Sequence, residues 1–419
     1  MPRRYFGTDG VRGVVGNDLT DGLVERLGRA FARWGAREVL VGRDTRASGV
    51  RLEEALIGGL VGGGADVARG GVLPTPAVAL LAGDATGAVI SASHNPPEYN
   101  GVKFFAPGGR KLADEEEEAI EQLLEAPATN GGRVRIDEAA GDRYVDLVCE
   151  RFGSALEGLR VVLDCANGAM YAVAPAAFRH LDAHVAIVGN TPDGTNINVG
   201  CGATDLSLLQ ATVRDGEFDL GVAFDGDGDR MLAVDAAGTE LDGDQILAVL
   251  ALQLGVELVA VTQMTNLGFH RLMEERGVQV ITTDVGDRYV LEALRREGGL
   301  LGGEQSGHIV YLDGHTTGDG LAGALLLCRA VAESGKPLAE LAAQMPKYPQ
   351  AKTNVPVRSK TISADLRRRI EELAGGGRVV VRPSGTEPVV RVLAEAESQK
   401  DASELCARIA ALVSRELGS

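Results

Sequence analysis

The sequence predicts an α/β fold: three similar α/β domains with mixed sheets, then a smaller C-terminal α+β domain, all around a central cleft. Three observations carry this expectation. A strand-like run that opens a helical stretch recurs three times, the third strand of each unit ends in a polar loop, and the pattern changes from about Tyr348.

The three units open at Glu38-Val39-Leu40-Val41-Gly42-Arg43-Asp44, Arg160-Val161-Val162-Leu163-Asp164-Cys165 and Glu257-Leu258-Val259-Ala260-Val261-Thr262. Second strands follow at Asp66-Val67-Ala68, His184-Val185-Ala186-Ile187-Val188 and Val278-Gln279-Val280-Ile281. Third strands lead into Ser93 (Gly87-Ala88-Val89-Ile90), Asp225 (Leu220-Gly221-Val222-Ala223-Phe224) and Glu304 (Gly299-Leu300-Leu301-Gly302). Strands alternating with helical stretches specify parallel α/β units, and such sheets bind ligands beyond the carboxyl ends of their strands. The three polar loops therefore occupy equivalent positions, and domains that pack with those ends converging bring them into one cleft. An extended run returns after each loop, at Val102-Lys103-Phe104-Phe105, Met231-Leu232-Ala233-Val234-Asp235 and His308-Ile309-Val310-Tyr311-Leu312. Each predicts an appended hairpin that makes the sheet mixed. Beyond Tyr348 come a strand, a helix opened by Ser363, two strands around Arg382-Pro383-Ser384-Gly385-Thr386 and a last helix from Asp401 to Leu417. The expected domains are 1–148, 149–250, 251–347 and 348–419.

At 419 residues and 45% hydrophobic content the chain is long enough for several cores. Its net charge of −17 argues against a nucleic-acid partner, which is held by excess Lys and Arg, so anionic ligands must rely on local basic clusters. The five cysteines show no CxxC spacing, which predicts reduced thiols. The start, Met1-Pro2-Arg3-Arg4-Tyr5-Phe6-Gly7, lacks an apolar signal-peptide core and no apolar run reaches membrane-spanning length, so a cytoplasmic protein without a membrane partner is expected.

The chemistry is concentrated in the loops. Asp225-Gly226-Asp227-Gly228-Asp229-Arg230 places three carboxylates two residues apart, a set whose oxygens suit Mg²⁺. It is not an EF-hand, because Arg230 stands where that loop needs glycine and Ala236 where it needs the bidentate Glu. A solvated acidic turn is the plain alternative, disfavoured by mutual repulsion. Ser93, in Ser91-Ala92-Ser93-His94-Asn95-Pro96-Pro97, is a hydroxyl able to carry a phosphoryl group that such a cation would neutralise. His94 either orients the serine or bonds a neighbouring backbone group. Lys103 is a candidate to take or deliver a proton, which requires a lowered pKa; a charge partner for phosphate is its simpler reading. Arg12 and Arg46 are candidates for stabilising charge near the phosphoryl group, and Arg43 for a structural ion pair. Gly303-Glu304-Gln305-Ser306-Gly307-His308 offers a carboxylate, an amide and a hydroxyl suited to a sugar. Arg382, Ser384, Gly385 and Thr386, with Arg391 on the next strand, have the makings of a phosphate cradle without the Lys of a nucleotide-binding P-loop.

Taken in order, Ser93 to Pro96, Asp225 to Asp229, Gly303 to His308 and Arg382 to Pro388 resemble the four signatures of the α-D-phosphohexomutase superfamily over essentially the whole chain. Phe6-Gly7-Thr8-Asp9-Gly10-Val11-Arg12-Gly13, Val285-Gly286-Asp287-Arg288-Tyr289-Val290 and Thr316-Thr317-Gly318-Asp319-Gly320 resemble its bacterial branch acting on glucosamine phosphates. That resemblance implies an intramolecular phosphotransferase that interconverts glucosamine 6-phosphate and glucosamine 1-phosphate for UDP-N-acetylglucosamine and cell-wall synthesis. It implies a phosphorylated Ser93 and Mg²⁺ on Asp225, Asp227 and Asp229, with Ser93 itself contributing to the metal site. A hexosamine 1,6-bisphosphate serves as activator and intermediate. Ser93, Lys103, Arg12 and His94 are the implied catalytic residues. The implied phosphosugar contacts are Glu304, Ser306, His308, Arg230, Arg288, Arg382, Ser384, Gly385, Thr386 and Arg391, and related enzymes suggest a homodimer. Branches acting on mannose or glucose phosphates are the nearest alternative. A catalytically silent sugar-phosphate sensor is disfavoured because Ser93 and all three aspartates are present, and a phosphatase with Asp225 as nucleophile is separated by whether turnover needs Asp225 or Ser93.

Overall fold

The computed structural model describes residues 4–7, 9–129, 131–375, 377–384 and 387–418. In the first domain, β1 (Val11–Val14), β2 (Glu38–Arg43), β3 (Asp66–Val72), β4 (Thr86–Ile90), β5 (Tyr99–Ala106), β6 (Arg110–Lys111) and β7 (Val134–Ile136) form one sheet in the order β1-β5-β4-β2-β3-β7, with β6 on β5. The second holds β8 (Arg160–Asp164), β9 (His184–Val188), β10 (Leu220–Phe224), β11 (Met231–Asp235) and β12 (Glu240–Leu241), ordered β12-β11-β10-β8-β9. The third holds β13 (Leu258–Thr262), β14 (Gln279–Thr283), β15 (Leu301–Gly303) and β16 (Ile309–Tyr311), ordered β14-β13-β15-β16. Each sheet contains the same four strands: a returning strand antiparallel to the third, then the third, first and second in parallel. The expected repeat and the mixed sheets are both present.

Helices on both faces explain why the central strands read as continuous apolar runs rather than alternating ones; β4 and β10 are buried along their whole length. One continuous apolar core takes in Phe105 of the first domain, Leu163 and Phe224 of the second, and Val259 and Leu301 of the third. Three sheets sharing a core cannot reorient freely, so the ends of their third strands are held together. Asp319 adds a polar link inside that core. It caps the helix Gly320–Ser334, accepting the Leu321 and Ala322 N–H groups at 2.8 and 3.1 Å. It also accepts the Tyr144 hydroxyl at 2.8 Å and lies 2.9 Å from His315 Nε2. Two expected boundaries, 148/149 and 250/251, fall inside the helices Ala140–Phe152 and Gly243–Leu254, so a division that keeps these helices whole moves both to the helix starts.

The fourth domain has an antiparallel sheet of β17 (Gln350–Pro356), β18 (Arg378–Pro383) and β19 (Val389–Glu395), ordered β17-β19-β18. The helices Ala364–Ala374 and Gln399–Leu417 cover one face through their own apolar core. Ser363 caps the first of these, as expected, while the second begins at Gln399 with Ser398 as its cap, slightly ahead of Asp401. All five cysteines are free thiols and buried. Among the described residues no helix is long and apolar enough to cross a membrane.

A buried ion pair beyond β2 fixes the loop that follows β4. Asp44 and Arg46 are both fully buried, and their side chains meet at 2.9 Å. Arg46 then donates to the carbonyls of Ser93 (2.9 Å), Asn95 (2.8 Å) and Tyr99 (3.0 Å), while Asp44 accepts the Ser91 hydroxyl at 2.6 Å. Arg46 is therefore a clamp on the loop backbone, not the charge beside a phosphoryl group that its sequence position suggested. Arg43 pairs with buried Glu53 at 3.4 Å, as a structural residue would.

Two outcomes follow from these buried charges. Arg46→Met leaves Asp44 unpaired in the core and is expected to lower stability by about 3–5 kcal/mol, measured by chemical denaturation. Asp244, in the first turn of Gly243–Leu254, is the second case: burial, and then the charge of Asp242, raise its pKa to about 7. The folded state thus holds this proton more tightly than the unfolded chain. The resulting stability is complete below an ordinary carboxyl pKa of about 4 and lost as pH rises through about 7. Asp244→Asn stays neutral, so its melting temperature is expected to gain on that of the wild type between about pH 5 and about pH 8.5; a constant difference contradicts the assignment.

Candidate active site

The loops after β4 and β10 are in contact. A Cβ on Gly226 would stand 2.6 Å from the Ser93 carbonyl, which explains why a glycine separates the first two aspartates. Ser93 adopts φ 51°, a left-handed conformation unusual for a residue with a side chain. Arg46 and the Asn198 amide, each 2.9 Å from the Ser93 carbonyl, hold it there. The strained turn aims the Ser93 hydroxyl at Asp225, to which it donates at 2.5 Å. On its other side, the metal loop's Gly228 carbonyl accepts the N–H of Gly320 at 3.0 Å, so the same loop abuts the third domain.

Asp225, Asp227 and Asp229 are buried, and one oxygen from each lies within 4.8 Å of the others. Asp227 Oδ2 accepts the Thr75 hydroxyl at 2.6 Å and Lys103 Nζ at 2.7 Å. Asp227 Oδ1 and Asp229 Oδ1 are buried with no hydrogen-bond partner among the described residues. Buried carboxylate oxygens without donors are costly, and an all-oxygen set with two free acceptors fits a hard divalent cation such as Mg²⁺.

Charge is distributed unevenly among the three. Burial and the charges of Asp229 and Asp227 raise the pKa of Asp225 well above the ordinary range. Asp229 is driven the other way: burial opposes ionisation, but Lys103 and His308 overcome it. Lys103 sits 2.7 Å from Asp227, 2.8 Å from Asp9 and 3.4 Å from Asp229. Burial alone would lower its pKa, yet Asp227, Asp9 and Asp229 together raise it far above the usual lysine value. The lowered pKa expected for a proton-accepting Lys103 is thus reversed: three carboxylates surround the ammonium group and hold its proton. Burial and the Arg230 and Arg12 charges lower His94 to about 4, leaving it neutral with Nδ1 3.3 Å from Ser93 Oγ. His308 moves oppositely, to about 10, because Asp287 and Asp229 outweigh its burial.

A cavity of about 600 Å³ opens beside this centre, and all four domains line it. Arg12 and His94 come from the first domain, Asp229 and Arg230 from the second, Arg288, Glu304 and His308 from the third, and Arg382 from the fourth. The convergence expected from the repeat is present, and the cations of an acidic chain are gathered here among carboxylates. Glu304 Oε1 accepts the Gly286 N–H at 3.1 Å. Arg288 is held by Asp114 and Glu117, and Arg12 by Asp9 and, at 3.3 Å, by Asn95. Ser384 is buried; its hydroxyl accepts the Glu387 N–H at 3.3 Å, and its carbonyl accepts Lys360 Nζ at 2.8 Å. Three expected contacts, Ser384, Ser306 and Arg391, do not line this cavity. Ser306 is exposed at the turn, and Arg391 lines a neighbouring space of about 340 Å³ with Arg382 and Lys352. Gly385 and Thr386 lie outside the described residues.

Four groups of the centre were not singled out from the sequence: Asp9, Thr75, Lys111 and Asn198. Lys111 bonds Asp9 at 2.8 Å and pairs with Asp287, whose Oδ2 lies 3.2 Å from His308 Nε2. An alternating chain of charge therefore runs from the metal loop through Lys103, Asp9, Lys111 and Asp287 to His308. Thr75, Lys111 and Asn198 have their partners far away in sequence, and Asp9, although it stands in the Phe6–Gly13 run and pairs with Arg12, meets Lys103 and Lys111 only through the fold.

Known proteins agree with this architecture. The chain matches the phosphoglucomutase/phosphomannomutase family models for alpha/beta/alpha domain I over residues 3–130, domain II over 142–238, domain III over 242–348 and the C-terminal domain over 329–412. It is 48% identical over 437 residues to a phosphoglucosamine mutase of Pelotomaculum thermopropionicum, covering 97% of this chain and 98% of the relative. A phosphoglucosamine mutase of Frankia alni is 49% identical over 445 residues, with 98% of each chain covered. The crystal structure of a phosphoglucomutase/phosphomannomutase family protein from Burkholderia thailandensis superposes with a TM-score of 0.83 at 25% identity, covering 97% of this chain and 96% of that one. Four domains in the family's order, and end-to-end likeness to its members, establish that the chain belongs to the phosphoglucomutase/phosphomannomutase family of the α-D-phosphohexomutase superfamily.

Proposed function

We propose that the chain interconverts glucosamine 6-phosphate and glucosamine 1-phosphate, as a phosphoglucosamine mutase. The observation that carries this reading is the Ser93 hydroxyl 2.5 Å from Asp225, within a buried three-carboxylate cluster and beside a cleft lined by all four domains. The end-to-end relatives named phosphoglucosamine mutase support the choice of sugar. Asp225, Asp227 and Asp229 would hold Mg²⁺, which when bound would offset negative charge on the phosphoryl oxygens.

Phosphorylated Ser93 donates its phosphoryl group to O1 of glucosamine 6-phosphate. The Ser93 Oγ–P bond breaks as the O1–P bond forms, and the O1 proton ends on Ser93 Oγ, giving the 1,6-bisphosphate and the free serine hydroxyl; the return transfer moves that proton to O6 in the same balance. That intermediate turns end over end, and its 6-phosphoryl group returns to Ser93 and releases glucosamine 1-phosphate. Glu304 and His308 hold the sugar in both orientations, and Arg382 with Ser384 holds the phosphate that is not reacting. Lys103, kept protonated by Asp9, Asp227 and Asp229, supplies positive charge beside the transferring group and is suited to delivering a proton rather than taking one. The proposal extends, on the family resemblance alone, to a cytoplasmic homodimer.

Freshly purified protein is expected to carry one phosphoryl group on Ser93 by intact mass. Ser93→Ala should lose both that mass and turnover, whereas a phosphatase using Asp225 would keep turning over in Ser93→Ala and stop in Asp225→Asn. Chelation should abolish activity and added Mg²⁺ restore it. In steady-state comparison of glucosamine, mannose and glucose 1-phosphates with the activating bisphosphate supplied, the glucosamine ester is expected to show the highest kcat/KM; a clear preference for mannose 1-phosphate overturns the choice of sugar.

A further inference from the structure

The Glu304 loop and the chain leading into the fourth domain are tied to the same buried carboxyl group. Asp244 Oδ2 accepts the side-chain amide of Gln305 at 3.1 Å and the backbone N–H of Asn266 at 2.8 Å. On the loop side the contact is tight: the Gln305 carbonyl accepts the Gly243 N–H at 3.0 Å, and a Cβ on Gly243 would stand 2.1 Å from the Glu304 carbonyl. The start of the helix and the sugar loop cannot slide past one another. On the other side, Asn266 grips Tyr348 in both directions, with Nδ2 donating to its carbonyl at 2.9 Å and Oδ1 accepting its N–H at 3.0 Å. Lys347 pairs with Asp242 at 2.7 Å, and β17 of the fourth domain begins at Gln350. From Glu304 to β17 the connection therefore runs through Gln305, Asp244, Asn266 and Tyr348.

Asp244 is more than a filler of this gap. Its Oδ1 and the neighbouring Thr265 hydroxyl are both buried without a hydrogen-bond partner among the described residues. The Thr265 hydroxyl, donor and acceptor at once, satisfies both either by donating to Oδ1 of the carboxylate or by accepting from a donor carried there, as in an amide or a protonated carboxyl. The arrangement matters because Glu304 and Arg382 line one cavity from different domains. A phosphosugar that touches both must find the loop seated and the fourth domain closed together.

We propose that Asp244 is a positioning residue that couples the seating of the sugar on the Glu304 loop to closure of the phosphate-binding fourth domain. The coupling rests on the mutase reading, since a bisphosphate that reverses its orientation needs the domain to open and close while the sugar stays engaged. Backbone hydrogen exchange with and without glucosamine 6-phosphate tests it, alongside steady-state kinetics. In the wild type the ligand is expected to slow exchange in residues 303–308 and 348–356 alike. Asp244→Ala should keep the first protection at saturating ligand, lose the second, and raise KM about fivefold or more with a smaller fall in kcat. Asp244→Asn retains an acceptor for Asn266 and Gln305 and offers an N–H to Thr265, so it should restore both protections. If Asp244→Ala does not fold, Gln305→Leu cuts the link from the loop side and is read the same way. Protection of both segments in the cut variant with unchanged KM overturns the coupling, and so does an Asp244→Asn variant as defective as Asp244→Ala. A wild type that protects both segments but turns over no glucosamine 1-phosphate overturns the mutase reading alone.

Discussion

Three buried aspartates with one oxygen each within 4.8 Å of the others are the constraint to which the rest of the structure answers. Carboxylates so close repel strongly in a medium of low polarisability, and the fold meets this in two ways. Lys103 comes over from the first domain and binds Asp227 and Asp229, and Asp9 and Lys111 extend the alternation of charge to Asp287 and His308 in the third. Two carboxylate oxygens, Asp227 Oδ1 and Asp229 Oδ1, are left without a hydrogen bond among the described residues, although Arg230 and His308 stand 3.8 and 3.9 Å from the second. The charge that creates the metal site is thus also what fastens three domains together around it.

Repetition makes that convergence possible. Each of the first three domains delivers a loop from the end of its third strand, and a shared apolar core fixes the relative positions of these ends. Phosphoryl transfer asks for a carrier, a cation site and a sugar platform within reach of one another, and three copies of one βαβ plan place a different group at the same address in each. The fourth domain has another plan and its own core, in keeping with a part that must move relative to the other three.

Local rigidity and interdomain mobility are kept apart. Ser93 is held in a left-handed turn by Arg46 and Asn198, so the orientation of its hydroxyl does not depend on a ligand. Arg382 is different: it has no ion-pair partner among the described residues and reaches the common cavity from the domain least bound to the others. Its pKa is lowered by burial and by Arg391, directly opposite across the β18–β19 pair. Two guanidinium groups facing each other repel; Glu387 pairs with Arg391 at 3.1 Å, which leaves Arg382 as the guanidinium of the two able to take a phosphate.

Much of this was legible in the chain, and the limit has a clear physical boundary. The repeated units, the mixed sheets, the aspartate loop and the serine turn follow from short-range signals: recurring apolar runs separated by helical stretches, glycine between carboxylates, proline after Ser93-His94-Asn95. Side-chain ionisation and contact were not local in this sense. By sequence Lys103 can take a proton, deliver one or simply pair with phosphate; the fold removes the first role, because Asp9 and Asp227 approach it from segments 94 and 124 residues away and hold its proton. Arg46 turned from a phosphoryl contact into a backbone clamp for the same reason, and Ser306, Ser384 and Arg391 do not line the common cavity although their motifs adjoin it. By itself the sequence determined which groups the reaction has at its disposal; only the tertiary structure decided which of them meet, since burial and pairing between distant segments set both the geometry and the charge of each.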